Sequence, residues 1–171
     1  LSVGYASCHW CHVMAHESFE NKETAAIMNE KFINIKVDRE ERPDLDNVFQ
    51  KSLAILTGVP GGWPLSMFLD ENGVPFTGGT YFPPKEMHGR PSFTNILNQV
   101  SDFYFKNREK VMQQAVQIKD IFKKDQKKSS VISQNLNPHL EAMLNYVDFE
   151  WGGFKGSPKF PQFYVFESFL H

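Results

Sequence analysis

Along the first half of the chain the apolar positions switch repeatedly between an alternating and a helical period, the pattern of an α/β domain. Leu1–Tyr5 is a short apolar run around the β-branched Val3 and reads as a strand. A helix follows from near Cys8 to about Phe19 or Glu20. Residues Asn21 to Phe32 place Ala25, Ile27, Met28 and Phe32 at helical spacing, and Ile33–Asp38 alternates as a strand. The charged stretch Arg39–Asp44 reads as a loop, with Asp44 as the N-cap of a helix from Leu45 to about Leu56. Turn residues crowd Thr57–Pro64. Leu65–Asp70 is then a strong strand, Glu71-Asn72-Gly73 a hairpin turn, and Val74–Thr80 the returning strand.

After Pro91, helical spacing runs from Ser92 to about Lys124 with a break near Asn107. Residues 123–135 (KKDQKKSSVISQN) are polar and read as a linker. A further helix spans Pro138 to about Tyr146, ahead of a Gly-, Pro- and aromatic-rich tail, Trp151–Pro161. No internal repeat is present. The order strand, helix, strand, helix, hairpin, helix predicts an α/β fold with a mixed central sheet and flanking helices. The sheet should be parallel where helices intervene and antiparallel at the hairpin, with a C-terminal helical extension.

Composition narrows the function classes. The 171 residues are 41% apolar with 16 phenylalanines, enough for a sizeable core. With 22% charged residues and a net charge of −2 there is no basic footprint for nucleic acid. No apolar stretch approaches the roughly 20 residues that span a bilayer, and there is no signal peptide at the start. A cytoplasmic location is the expectation, although a chain that opens on Leu1 inside a buried strand reads as the interior of a longer protein.

Two cysteines cannot form a disulfide scaffold, and both lie in Cys8-His9-Trp10-Cys11. A strand, then C-x-x-C, then a helix is the thioredoxin-like arrangement for thiol–disulfide chemistry. Free N–H groups and the positive dipole end at a helix N-terminus stabilise a thiolate, and the thiolate is the species that attacks disulfides. Cys8 is therefore the candidate nucleophile and Cys11, one turn on, the more buried resolver. His9 is placed to stabilise the Cys8 thiolate. That would move the couple toward the oxidising end of a range from about −270 to about −120 mV. His12 and His16 share a helical stripe with Cys8, and His12 is the better proton carrier of the two; hydrogen-bonded rim histidines are the simpler account of both. Trp10 stands between the cysteines as a candidate substrate contact.

Three other readings weigh less. Cys8 to His12 is literally C-x-x-C-H, the c-type haem attachment pattern, but it follows a strand within a βαβ pattern. A zinc site of Cys8, Cys11, His12 and His16 would stretch residues 8 and 16 about 12 Å apart along a helix. A pair of inert core thiols would not call for a strand-to-helix junction. No metal and no cofactor is expected.

Active edges in such sheets lie at the C-terminal ends of the parallel strands. The loop after Ile33–Asp38, the start of the hairpin at Gly61-Gly62-Trp63-Pro64 and its end at Gly78-Gly79-Thr80-Tyr81 should all open beside Cys8. A cis Trp63–Pro64 peptide is predicted there, facing the cysteines and leaving the Trp63 backbone free for an extended substrate. Tyr81 and Phe82 are candidates for the same groove or for the core. The charges of Arg39–Asp44 are most simply a solvated loop with a helix cap, a role for Arg39 or Glu40 in tuning the site being the lesser reading.

The blocks GYASCHWCHVMAHESFE, VDREERPDLD, GGWPLSMFLDENGVPFTGGTYFPP and WGGFKGSPKFP resemble the signature segments of the spermatogenesis-associated protein 20 family. The resemblance implies a thioredoxin-like domain at residues 1–126 lacking its first strand and helix, a linker at 127–136, and at 137–171 the opening of an α/α-toroid domain. By position it implies Cys8 and Cys11 as the redox pair and Pro64 as the cis-proline. Two departures from thioredoxins stand out: His9-Trp10 replaces the usual Gly-Pro, and Ser2 stands where a buried acid assists the second cysteine. Proton removal from Cys11 would then fall to His12, to water or to nothing, which bears on reductase turnover more than on thiol reactivity. The resemblance bears on the fold more than on the activity; the leading reading of the cysteine motif is a thiol–disulfide oxidoreductase acting on a protein or small-molecule disulfide. The alternative is a non-catalytic module docking on a carbohydrate-processing toroid of the same chain, through residues such as Trp151, Phe154 and Phe160.

Overall fold

The computed structural model describes residues 1–87, 89–128, 137–157, 159 and 166–167. Strands β1 (Ser2–Gly4), β2 (Lys36–Asp38), β3 (Leu65–Leu69) and β4 (Pro75–Gly79) form one sheet in the order β2-β1-β3-β4. β1 and β2 are parallel, with Val3 opposite Val37, because helices intervene between them. β3 runs antiparallel to both β1 and β4. The tight connection between β3 and β4 is fixed by Asp70, whose Oδ1 accepts from the Asn72 and Val74 amides at 2.9 and 2.8 Å. Gly73 supplies the positive φ of 75° that this turn requires. The mixed α/β, thioredoxin-like sheet expected from the sequence is present.

Period-two alternation sorts β3 between two layers. Leu65 and Met67 join Val3, Val37, Phe49 and Leu53 beneath helix α3 (Pro43–Thr57). Phe68 points the other way, into a cluster of Met14, Phe76, Phe93, Leu97 and Val111. That second layer is built by α1 (His9–Met14), α2 (Lys22–Lys31), α4 (Phe93–Lys106) and α5 (Arg108–Lys128). Val3, Met14 and Leu65 are completely buried, each contributing about 1.5–3 kcal/mol of hydrophobic stabilisation.

Local chemistry sets the helix ends, in places differently from expectation. Asp44 is not the cap of α3. Pro43 occupies the first helical turn, where its missing N–H costs nothing, and Asp44 lies inside that turn paired with Arg42. The helix ends at Gly58, which takes the left-handed conformation at φ 75°. The cysteine helix is not one continuous α-helix: after Met14 it widens into a π-helical turn, Ala15–Phe19. Asn21 then caps α2 through the Glu23 and Thr24 amides. The break near Asn107 separates α4 from α5, and Ser92 caps α4. α5 continues to Lys128, so residues 127–128 of the expected linker are helical; 129–136 lie outside the described residues.

The chain divides into two compact units, Leu1–Asp125 and Gln126–His171. In the second, α6 (Asn137–Leu144) precedes a turn in which Val147 bridges Phe154. Asp148 there accepts from the Glu150 and Trp151 amides and pairs with Lys159. The Lys159 ammonium, first, holds its carboxyl down to about 2. Phe160 and the end of the tail lie outside the described residues.

Gly78 marks a tight point of the hairpin. A β-carbon there would stand 2.7 Å from the Ser66 carbonyl oxygen and closer still to the Met67 sulfur. Gly78→Ala is expected to destabilise by about 1–3 kcal/mol, read from the midpoint of urea unfolding.

Candidate redox site

The polypeptide turns from β1 into α1 at Cys8, which is the N-cap residue with φ −78° and ψ 101°. Its amide donates to the Tyr5 carbonyl at 3.1 Å, and its sulfur accepts from the Cys11 amide at 3.2 Å. The sulfur thus occupies the place a serine or aspartate oxygen takes at other helix starts, among N–H groups that have no helical acceptor. A negative charge on this atom is favoured there by the amide and by the helix dipole. Cys8 and Cys11 are joined as a disulfide.

The expected order of burial is reversed. Cys8 is the more enclosed residue, 4% exposed, while Cys11 is half-buried. The reason lies in the backbone, since Cys8 sits at the strand-to-helix junction while Cys11 is already on the first turn. The Cys11 sulfur nonetheless packs inward against β1, 3.0 Å from where a β-carbon on Gly4 would be. Gly4 leaves the room the disulfide uses.

The three histidines are dispersed. His9 meets the Trp10 ring edge-on at 5.6 Å. His12 Nε2 donates to the Ala6 carbonyl at 2.7 Å, which leaves Nδ1 as the acceptor of the neutral ring. His16 is 84% exposed and pairs with Glu20 at 2.5 Å, so it joins no group around the sulfurs. Cys8, Cys11, His12 and His16 therefore do not converge as ligands of one ion. Ser2, where thioredoxins carry an acid, is a half-buried β1 residue opposite Lys36 and Ser66.

The Trp63–Pro64 peptide is cis and Pro64 is fully buried at the start of β3. Trp63 packs edge-on against Tyr5, three residues before Cys8, at 5.8 Å. Its indole N–H donates to Asp46 Oδ1 at 2.8 Å, and the Arg39 guanidinium lies over its face at 4.0 Å. Arg39 also approaches the Tyr5 ring at 5.2 Å and donates its amide to the Gly4 carbonyl. Its loop is therefore more than a solvated run of charge. Tyr5, Asp46 and Gln50 were not candidates from sequence, and Arg39 was one only as the lesser reading of its loop. The available signal was spacing: Asp46, Phe49 and Leu53 sit at i, i+3 and i+7, so one carboxylate shares the buried stripe of α3.

On the other flank, Trp10 is 55% exposed and meets Tyr81 edge-on at 5.5 Å. The Tyr81 hydroxyl donates to Glu17 in the π-helical turn at 2.5 Å. Phe82 turns inward and stacks on Phe93, in the core rather than the groove. The Glu17 bond, more than burial, pushes the Tyr81 phenol up to about 12. Because the folded value is raised, the latch is fully present below the ordinary phenol value of about 10 and is lost as pH rises through about 12. Difference absorbance should show one tyrosine ionising near 12, and Glu17→Gln should return it toward 10.

A cavity of about 580 Å³ lies elsewhere, lined by Leu1, Ile35, Lys36, Asp70, Leu97 and Tyr104. Leu1, Ile35, Lys36 and Asp70 mark the N-terminal ends of β1 and β2 and the far end of β3, opposite the cysteines, and Leu97 and Tyr104 come from α4. Among the described residues no helix is long and apolar enough to cross a membrane.

Comparison with known proteins agrees with this geometry. Residues 1–123 match the family Thioredox_DsbH, described as a protein of unknown function, DUF255. The chain is 37% identical to human spermatogenesis-associated protein 20 over 169 residues, and 38% identical to the mouse protein over 168. It is 42% identical over 167 residues to uncharacterized protein B0495.5 of Caenorhabditis elegans. These alignments cover 94–95% of this chain but only 21–22% of each relative, so the chain spans about a fifth of their length. With a thioredoxin-like sheet, a Cys8–Cys11 disulfide at a helix tip and a family match over residues 1–123, the chain belongs to the Thioredox_DsbH (DUF255) family.

Proposed function

We propose that this domain is a thiol–disulfide oxidoreductase acting on a protein or small-molecule disulfide. The observation that carries the reading is the Cys8 sulfur at the N-cap of α1, accepting the Cys11 amide while bonded to the Cys11 sulfur. In the reduced protein the Cys8 thiolate attacks one sulfur of a substrate disulfide. A Cys8–substrate bond forms, the substrate S–S bond breaks, and the departing thiolate takes a proton from water. Cys11 then loses its proton and attacks the Cys8 sulfur. The internal disulfide closes, the second substrate thiolate leaves, and two electrons have passed from the cysteine pair to the substrate. His12 Nδ1 or water takes the Cys11 proton. An external dithiol restores the reduced pair, and the same steps reversed oxidise a dithiol.

Trp10, Trp63, Pro64 and Tyr81 form the substrate face in this proposal. Among the described residues the Trp63 backbone N–H and carbonyl make no hydrogen bond, which suits them to an extended peptide laid beside the cysteines. His9 tunes the Cys8 charge, and His16 takes no part. The activity of the complete relatives, and any docking of this domain on an α/α-toroid, extend beyond this domain and are proposals of the same kind. Trapping tests the reading: Cys11→Ser, incubated with glutathione disulfide, should accumulate a mixed disulfide on Cys8. No adduct on Cys8, the one cysteine this variant keeps, would overturn it.

A further inference from the structure

We propose that Asp46, Arg39 and Gln50 form a clamp on Trp63 that positions its backbone for peptide disulfides, a role that rests on the oxidoreductase reading. Asp46 is 7% exposed, and a carboxylate so enclosed persists only with partners. It has three: the Trp63 indole N–H at 2.8 Å, Gln50 Nε2 at 3.4 Å, and Arg39 Nε at 3.8 Å. Arg39 and Gln50 each grip the Trp63 loop a second time. The Arg39 guanidinium lies over the indole at 4.0 Å, and Gln50 Nε2 also donates to the Gly62 carbonyl at 3.3 Å. Gly61 makes room for this, since a β-carbon there would collide with the Gln50 amide oxygen.

The attachments divide sharply by atom. The clamp holds the Trp63 side chain and the Gly62 carbonyl, while the Trp63 N–H and C=O are engaged by nothing among the described residues. A backbone segment fixed on both sides with its own polar groups left open is preorganised for an added strand. Fixing it beforehand removes an ordering cost from binding. The clamp should therefore govern affinity for substrates with an extended backbone next to the disulfide. It should matter little for a compact disulfide without one. Asp46, Arg39 and Gln50 are positioning residues, since none of the contacts places them on the sulfurs.

The test compares the wild-type chain with Asp46→Asn and Asp46→Leu on two disulfides, a peptide disulfide with extended flanks and the compact 5,5′-dithiobis(2-nitrobenzoate). Asparagine keeps an oxygen for the indole and for Gln50, and leucine keeps only volume. Expected for Asp46→Leu is a KM for the peptide raised roughly tenfold with kcat nearly unchanged, the scale of one or two net hydrogen bonds. Reaction with the compact disulfide should stay at the wild-type rate, and Asp46→Asn should restore most of the peptide KM. A readout independent of turnover is the Trp63 indole N–H by nitrogen-15 NMR: slow to exchange in wild type and Asp46→Asn, fast in Asp46→Leu. An unmoved peptide KM, an equal loss on both disulfides, or an asparagine variant as poor as leucine would overturn the clamp while leaving wild-type turnover intact. A wild-type chain inert toward both disulfides would instead overturn the oxidoreductase reading and the substrate role of the clamp with it.

Discussion

Cys8→Ser is expected to abolish disulfide reduction, lowering kcat/KM in an insulin-reduction assay by roughly 1,000-fold or more. The substitution is close to isosteric and leaves the helix start intact. Serine is itself a strong N-cap, so its oxygen can accept from the Cys11 amide that the sulfur now engages at 3.2 Å. Losing the disulfide, which closes a loop across three residues, costs about 2 kcal/mol in the chain-entropy account, less than a typical total of about 5–15 kcal/mol. An inactive but folded Cys8→Ser therefore isolates the chemistry. Cys11→Ser should differ in kind: it keeps the first attack, loses the release step, and accumulates the mixed intermediate. Were the half-buried Cys11 the attacking residue, the two phenotypes would be exchanged. That comparison is pointed here because Cys8 is only 4% exposed. Enclosure opposes a charged sulfur, whereas the Cys11 amide and the helix end favour it. The assignment holds that the fixed donor wins, since it needs no reorganisation when the charge forms.

The second large effect is on stability. Met14→Ala should lower the free energy of unfolding by about 2–5 kcal/mol. Met14 closes α1 with no exposed surface and packs in the layer of Phe68, Phe76, Phe93, Leu97 and Val111. It is the anchor that seats the cysteine helix on the sheet. Against a typical total of about 5–15 kcal/mol, that loss is a large fraction, read as a shift in the denaturant midpoint with the slope unchanged. Met14→Leu conserves volume and should cost less than about 1.5 kcal/mol. A shift as small for alanine as for leucine would mean that α1 is held mainly from its tip.

The architecture could be read from the chain because its signals are local and mutually consistent. The apolar run Leu65–Leu69, the Asp70–Gly73 turn and the placement of Cys8 after β1 each specify an element and an edge. Once the strand directions followed, placing the β1 end before Cys8, the β3 start after Trp63-Pro64 and the β4 end before Tyr81 at one edge of the sheet was a matter of topology. Features that depend on which atoms meet were not legible. Asp46 reads as one acid among many in REERPDLD, and only its register with Phe49 and Leu53 hints that it is buried. The bond from Tyr81 to Glu17 joins residues 64 apart and uses a π-helical turn that no propensity announces. The depth of Cys8 depends on backbone packing around the junction, not on spacing, and so inverted the expected burial of the pair. Asp44 was displaced as a cap by its own neighbour, because Pro43 is better suited to the first helical position.

The reduction potential of the Cys8–Cys11 pair tests the central claim most directly. The full chain would be equilibrated in glutathione buffers of graded potential, quenched in acid, alkylated and weighed to count free thiols. A reversible two-electron transition between about −270 and about −120 mV is the predicted result. A disulfide that stays closed below about −300 mV, as structural disulfides do, or that opens only when the chain is unfolded, would contradict it.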